Sequence, residues 1–431
     1  MDTHPDARFA VISDLHFYDA SLGAEGAAFE KALSMDRKML AESEELLDYA
    51  ISDLLRSDIQ FLLICGDLTK DGEAINHEKV SAKLQTLADN GIKVIVTPGN
   101  HDINNPGAVG FSGDEKWMAA NTSAQEFRRI YADMGYGDCF ISDDSSLSYV
   151  SEPVPGLWVL SIDTCRYDEN STEGESAVTG GSISAGTEEW ILSVLSEASA
   201  HGKTVIALMH HGIVEHWKGQ AKIHPDYLVK GFGRLGGLLA SHNVRLAFTG
   251  HNHAQSIVRA DFGDNFLCDV GTGSLVTYPC PIRYCELDVG DLKINTNTIA
   301  EKLRTETDFA EIAESIVKKN IAHEVARSLR EYYVSDCDAE YIADAVGEAF
   351  SAHYKGDAAA SFRPEFDFNS LGLLGKFVYA TQKQIIDALW ESSLLGDNNT
   401  VLNLQGAPVS ERVWNGEIVF AHRLFAESNS A

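Results

Sequence analysis

Residues 93–102 read Lys-Val-Ile-Val-Thr-Pro-Gly-Asn-His-Asp, a short apolar run that stops at Pro98-Gly99 and is followed by Asn100, His101 and Asp102. The pattern recurs four times. Residues 9–13 (FAVIS) run into Asp14-Leu15-His16, and residues 61–65 (FLLIC) into Gly66-Asp67. Residues 204–209 (TVIALM) run into His210-His211, and residues 245–249 (RLAFT) into Gly250-His251-Asn252-His253. Apolar, β-branched runs of this length bounded by Gly and Pro read as buried strands. The polar residues then lie just past the carboxyl ends of strands, the edge of an open α/β sheet where ligands bind. Five clusters of oxygen and imidazole donors on one such edge predict a metal site.

Asp14 and His16 are two apart in an extended chain, so their side chains share a face and can bind one cation. His251 and His253 can do the same, with Gly250 permitting a tight turn. Asp67 has two oxygens and can bridge two cations. Imidazole combined with carboxylate suits Zn, Fe, Mn or Ni rather than Ca or Mg. The donors Asp14, His16, Asp67, Asn100, His210, His251 and His253 are too many for one tetrahedral ion and suit two. Asp14 and Asp67 alone among them bring negative charge, so two divalent ions leave a net charge of about +2 that attracts phosphate.

The totals bound the partners. Against 34 basic residues stand 64 acidic ones, a formal charge of -30 over 431 residues. Such a field repels nucleic acid polymers and anionic membranes. It leaves room for a small phosphate ester, because bound cations reverse the sign locally. The seven cysteines are scattered with no CxxC pair, which suits a reducing, cytoplasmic setting. There is no signal-peptide pattern and no transmembrane stretch.

From residue 9 to about 299 strand-like and helix-like patterns alternate. Helices are expected over 25–55, 76–90 (with Gly91 as its C-cap), 126–134 and 187–199, the last with Thr187 as N-cap. Residues 103–121 read as a loop at a pocket rim. After His253 the pattern becomes short strands with turns at Gly263-Asp264 and Gly290-Asp291, predicting parallel βα units first and an antiparallel portion later. Composition shifts near residue 300. This divides the chain into a catalytic domain, 1–300, and a mainly helical C-terminal extension, 301–431, acting as a cap, lid or dimer surface. Helical patterns over 306–335, 339–353 and 371–393 precede a hairpin signal at Asn415-Gly416.

The order Asp14-Leu15-His16, Gly66-Asp67, Gly99-Asn100-His101-Asp102, His210, Gly250-His251-Asn252-His253 resembles the calcineurin-like metallophosphoesterase superfamily over roughly residues 8–300. Gly66-Asp67-Leu68-Thr69, Gly72-Glu73 and Pro98-Gly99-Asn100-His101-Asp102 look most like its cyclic-nucleotide phosphodiesterase branch. The resemblance implies an α/β fold, a four-layer α/β/β/α sandwich of two mixed sheets, with a dinuclear site of Mn, Fe or Zn between strand ends. It implies that Asp14, His16 and His253 hold one metal, that Asn100, His210 and His251 hold the other, and that Asp67 bridges them. A bridging hydroxide then attacks phosphorus in line. His101 stabilises the developing charge and can protonate the leaving oxygen, with Asp102 orienting its ring.

Softer candidates are Asn104, Arg166 and His211 as substrate contacts, with His211 also readable as a support behind the metal ligands. Asn105 and His224 are candidate pocket residues, Trp217 beside His216 a stacking residue, and Asp163 and Thr164 supports or strand caps. The leading expectation is hydrolysis of a phosphodiester of a small soluble substrate such as a cyclic nucleotide. A phosphomonoesterase, nucleotidase, pyrophosphatase or phospholipid-headgroup hydrolase is the alternative on the same site. The non-enzyme alternative is a metal-binding scaffold, and an apolar helix face between residues 371 and 390 keeps a homodimer in view.

Overall fold

The computed structural model describes residues 5–171, 174, 176–288, 290–304, 308–391 and 396–405. In chain order β1 (Ala7–Ile12) precedes α1 (Ala27–Met35), α2 (Ser43–Leu55), β2 (Phe61–Ile64), α3 (Ala74–Asp89) and β3 (Lys93–Val96). A small hairpin, β4 (Val109–Ser112) with β5 (Glu115–Met118), and α4 (Ala124–Ile130) follow. Next come β6 (Ile141–Ser142), β7 (Tyr149–Val154), β8 (Leu157–Ile162), α5 (Ala185–Ala200), β9 (Thr204–Met209), α6 (Gln220–Ile223), α7 (Phe232–Ser241) and β10 (Leu246–Thr249). Strands β11 (Ser256–Phe262), β12 (Asn265–Gly271), β13 (Pro281–Asp288) and β14 (Asp291–Thr298) lead to α8 (Phe309–Glu331), α9 (Asp336–Lys355), α10 (Leu373–Leu389) and β15 (Thr400–Asn403).

Two mixed sheets result, of six strands (β15-β14-β13-β1-β2-β3) and seven (β11-β12-β10-β9-β8-β7-β6). The central strands β1, β2, β3, β8, β9 and β10 are near-continuous apolar runs because both faces are covered, whereas β14 alternates buried and exposed residues. In β8 and β9 the period of two is visible. Leu157, Val159, Ile206 and Leu208 point into the core between the sheets, where Phe9 of β1 meets Phe248 of β10 edge-on at 5.5 Å. Trp158, Leu160, Val205 and Ala207 point the other way, onto Ile191 and Leu195 of α5 and Leu235 and Leu239 of α7. Leu46 and Leu54 of α2 and Val80 and Leu84 of α3 join the core of the first sheet. Helix, sheet, sheet and helix layers follow, as the superfamily resemblance implies.

Several local expectations change. The stretch 25–55 forms two helices, because the Asp36 carboxylate accepts from Lys38 N–H at 3.0 Å and offers the backbone an alternative to helix. The rim segment 103–121 contains the hairpin β4–β5, whose Val109 and Phe111 pack on Tyr18, Phe29 and Leu40 in a small separate cluster. Ser184, not Thr187, caps α5, its hydroxyl accepting from Thr187 N–H at 3.0 Å. The strands after His253 divide between the sheets: β12 runs parallel to β10 and antiparallel to β11, while β13 runs antiparallel to β1. Gly91 does follow α3 in the left-handed region.

Residues beyond 300 are tied to the rest. Strand β15 pairs antiparallel with β14, and Val317, Ile342 and Ile386 belong to the same apolar cluster as the sheet core. No helix among the described residues is long and apolar enough to cross a membrane. The hairpin signal at Asn415-Gly416 lies outside the described residues.

Candidate metal centre

Parallel strands β1, β2 and β3 of one sheet and β9 and β10 of the other all end at the same edge, and the five motifs follow those ends. The first two are zipped together: Asp14 N–H donates to the Gly66 carbonyl at 3.0 Å and His16 N–H to the Asp67 carbonyl at 2.9 Å. Asp67 occupies the middle. Its Oδ2 lies 3.6 Å from His16 Nε2 on one side and 3.3 Å from His210 Nε2 on the other. Its Oδ1 accepts from His101 N–H at 2.9 Å. Asp14 Oδ1 lies 3.4 Å from His253 Nε2, and His210 Nε2 lies 3.1 Å from Asn100 Oδ1. Two donor groups emerge, Asp14 with His16 and His253, and Asp67 with His210 and His251, each with ligand atoms within 4.8 Å of one another. The same span also takes in His16, Asp67 and His101.

The backbone is strained where the donors sit. Asp14, His16, Asp67, His251 and His253 all have positive φ, between 36° and 66°. For non-glycine residues this conformation costs on the order of 1 kcal/mol or more each, and it persists where the surroundings over-determine it. Two glycines make the close approach possible. A Cβ on Gly99 would fall 2.1 Å from Asp67 Oδ1, and one on Gly250 would fall 2.0 Å from Ser13 Oγ and 2.6 Å from Asp14 Oδ2. His210 Nδ1 sits 2.7 Å from the Cys65 carbonyl, which fixes the proton there and leaves Nε2 for the centre.

The donor chemistry fits two transition-metal cations. Asp14 and Asp67 are buried carboxylates ringed by imidazoles, and a buried charge is normally paired or bound to a metal. Burial holds His16 and His251 well below the usual histidine range, the neutral form a ligand needs. Burial also opposes charge on His210, but Asp67 overcomes it and lifts that pKa to about 9. Among the described residues, the buried His251 Nε2 has no hydrogen-bond partner.

His101 flanks the donors, its ring edge-on to His16 at 4.9 Å. Its orienting carboxylate is not Asp102. Asp102 accepts from the backbone N–H groups of Gly99 at 2.8 Å, Thr69 at 3.0 Å and Leu68 at 3.2 Å, bracing the turn after β3 against the turn after β2. Asp71 takes the orienting place, with Oδ1 2.8 Å from His101 Nδ1. Lys70 and Asn105 hold Asp71 in turn. Burial works against charge on His101, but Asp67 and Asp71 outweigh it and raise its pKa. Asp71 escaped the sequence reading because Lys70-Asp71-Gly72 looks like an ordinary turn. Its one signal was its place four residues after Asp67.

Of the softer candidates, Asn105 braces Asp71, and the others add no atom to the donor groups. Arg166 pairs with Glu169, and Asn104 is exposed and binds Thr122 and Asn170 through its backbone. The His211 ring is engaged on both nitrogens, 2.7 Å from Thr164 Oγ1 and 2.8 Å from the Thr179 carbonyl, and packs behind His251 at 4.5 Å. Asp163 accepts from Leu147 and Cys165 N–H and from the Tyr167 hydroxyl, as a strand cap. His216 lies beside Asp269, and Trp217 is buried in the core.

A cavity of about 70 Å³ opens over Asp67, His101 and His253, and Arg37, Lys38, Tyr227, Glu324 and Tyr354 wall it. A larger one of about 520 Å³ adjoins it, sharing Lys38, Asn100 and His101, and is faced by Leu40, Phe111 and Met118. Arg37, Lys38, Glu324 and Tyr354 were not singled out in the sequence, where the first three sit inside helical patterns and Tyr354 just past one.

Two mixed sheets sandwiched by helices, with two donor groups meeting on one carboxylate at the strand ends, define a metallophosphoesterase. The calcineurin-like phosphoesterase family model matches residues 7–255, more than half of the chain, and the chain belongs to that family of phosphoric ester hydrolases. Similar solved structures include a dimetal phosphatase from Danio rerio (16% identity, 68% of this chain and 96% of that one, TM-score 0.48). A purple acid phosphatase from yellow lupin seeds is 14% identical over 69% of this chain and 52% of its own, with a TM-score of 0.43. The sulfate thiohydrolase SoxB of Thermus thermophilus is 14% identical over 74% and 61%, with a TM-score of 0.39. No curated protein matches the sequence.

Proposed function

We propose that this chain hydrolyses a phosphodiester of a small soluble molecule, such as a cyclic nucleotide. Asp14, His16 and His253 would hold one Mn, Fe or Zn ion, Asn100, His210 and His251 would hold a second, and Asp67 stands within reach of both groups. The observation that carries this reading is Asp67 itself, a buried carboxylate oxygen 3.6 Å from His16 and 3.3 Å from His210 with His101 alongside. When bound, the two cations supply Lewis-acid activation of phosphate and of the attacking water. The chain's own residues do the rest. Asp71 fixes His101 Nδ1, leaving Nε2 to give a proton to the departing oxygen. His101 lines both cavities, so the phosphoryl group fits the smaller and the organic group the larger.

The motif likeness to the cyclic-nucleotide branch supports the diester. A monoester, nucleotide or pyrophosphate substrate is favoured by one feature, the adjacent cations Arg37 and Lys38 on the cavity wall, which suit a dianion. The sequence supports a cytoplasmic setting and a catalytic unit of residues 1–300 carrying the extension 301–431. Leu373 and Phe377 of α10, 90% and 68% exposed, support a homodimer contact there. The test is hydrolysis of bis-p-nitrophenyl phosphate and p-nitrophenyl phosphate by Mn-reconstituted protein. Diester turnover lost in Asp67→Ala supports the proposal. Monoester turnover alone moves it to the phosphatase, and no turnover with Mn bound defeats it.

A further inference from the structure

The donors lie between residues 14 and 253, but part of the wall above them comes from the C-terminal region. Arg37 and Lys38 occupy the break between α1 and α2, Glu324 lies on α8 and Tyr354 near the end of α9, and all four face the cavity over Asp67 and His101. Hydrogen bonds fasten this wall in place. Asn320 of α8 donates to the Asp36 carbonyl, one residue before Arg37. Met39 N–H donates to the Val276 carbonyl at 2.7 Å on the other side of the pair. Gln255 N–H, two residues past His253, donates to the Tyr354 carbonyl at 3.1 Å. Arg37 also hydrogen-bonds Tyr227, whose ring lies 4.7 Å from that of His251.

We infer that Arg37 and Lys38 grip the non-bridging oxygens of the substrate's phosphoryl group, and that α8 and α9 position them through Asn320, Glu324 and Tyr354. The inference rests on the phosphohydrolase reading above and makes residues 309–355 part of the substrate site. The chemistry matches. A guanidinium presents a planar fork of donors that fits phosphate oxygens, and an ammonium adds a point charge. In a chain of formal charge -30, two consecutive cations stand beside the donors, Lys38 Nζ 3.6 Å from the Asp36 carboxylate and Arg37 near Glu324, so an entering oxyanion takes over from carboxylates as their partner. Glu324 interacts electrostatically with Arg37, so α8 acts on it directly as well as through the backbone of Asp36.

The experiment is calorimetric titration of inorganic phosphate into Mn-loaded protein, together with steady-state kinetics on the p-nitrophenyl ester that the wild type turns over. Arg37→Gln is expected to weaken phosphate binding and raise KM by about 10- to 100-fold, the worth of a charged hydrogen bond, with Mn content unchanged and kcat within a few-fold. Arg37→Lys recovers part of the loss. Asn320→Ala and Glu324→Gln raise KM by less and leave kcat alone, a split that a purely structural role does not give. Unchanged phosphate affinity in Arg37→Gln at full Mn content overturns the inference, as does a fall in kcat with KM unmoved. If Arg37→Gln does not fold, Lys38→Gln reads the same quantity. A wild type that turns over no ester defeats the phosphohydrolase reading, while the phosphate titration still decides this one.

Discussion

The metal-site donors and the wall above them are held in different ways. Five of the donors stand on backbone forced to positive φ at strand ends, with Gly99 and Gly250 pressed against the Asp67 and Asp14 carboxylates. Arg37 and Lys38 stand in a helix break without positive φ and are braced by α8 and α9 from the far end of the chain. Strain locked in by two sheets suits atoms that must not move relative to two cations. A braced loop suits contacts that set which substrate enters, because one substitution on a helix can adjust it without disturbing the centre. The two regions should therefore respond differently to mutation.

The largest effect tests the first region. Asp67→Asn should cut ester turnover on the order of 10³-fold or more and lower bound metal at the same time, read by elemental analysis of purified protein. His101→Ala should lose about 10²- to 10³-fold in kcat with metal content intact, and a fall in metal would make His101 a ligand instead. Asp71 and Asp102 sharpen the division further. Asp71→Asn should slow turnover by about 10-fold with little change in melting temperature. Asp102→Asn should lower the melting temperature by a few degrees, because a side-chain amide cannot accept three backbone N–H groups as a carboxylate does. Reversed outcomes would return the orienting role to Asp102.

A smaller effect comes from His77, buried between the Tyr131 hydroxyl and the Asp102 carbonyl. Burial presses its pKa down to about 4. A histidine lowered in the folded state contributes stability that is full above its unfolded value near 6.5 and is lost as pH falls toward 4. The loss should approach about 3 kcal/mol for this group, and His77→Gln should flatten melting temperature against pH between 6.5 and 4. An unchanged slope would remove His77 from the acid response.

The strand-end motifs were legible because burial on both faces forces uninterrupted apolar runs, and a run that ends in Asp, Asn or His advertises its polar residue. Runs such as TVIALM therefore marked the strand ends and the candidate donors after them, but the runs alone suggested one sheet, and the second sheet came from the family resemblance. The order of β11 to β14 was not legible, since hairpin turns say which strands are neighbours in sequence and not which sheet receives them. Asp71 was hidden because a Lys-Asp-Gly turn has no periodicity to break. Arg37 and Glu324 were hidden because each is a single residue in a helical pattern, and Tyr354 because it stands just past one. Their meaning arises from Asn320 and Gln255 bringing distant segments together. The capping of α5 by Ser184 rather than Thr187 was a boundary error of three residues, made where both are plausible acceptors.

The most direct test of the shared carboxylate is the Mn stoichiometry and electron paramagnetic resonance of wild type and Asp67→Ala, with ester turnover measured on the same samples. Two Mn per chain with a spin-coupled signal in the active wild type, and loss of both coupling and turnover in Asp67→Ala, is the predicted result. One uncoupled Mn per chain at full turnover, or a coupled pair that survives in Asp67→Ala, would contradict the account.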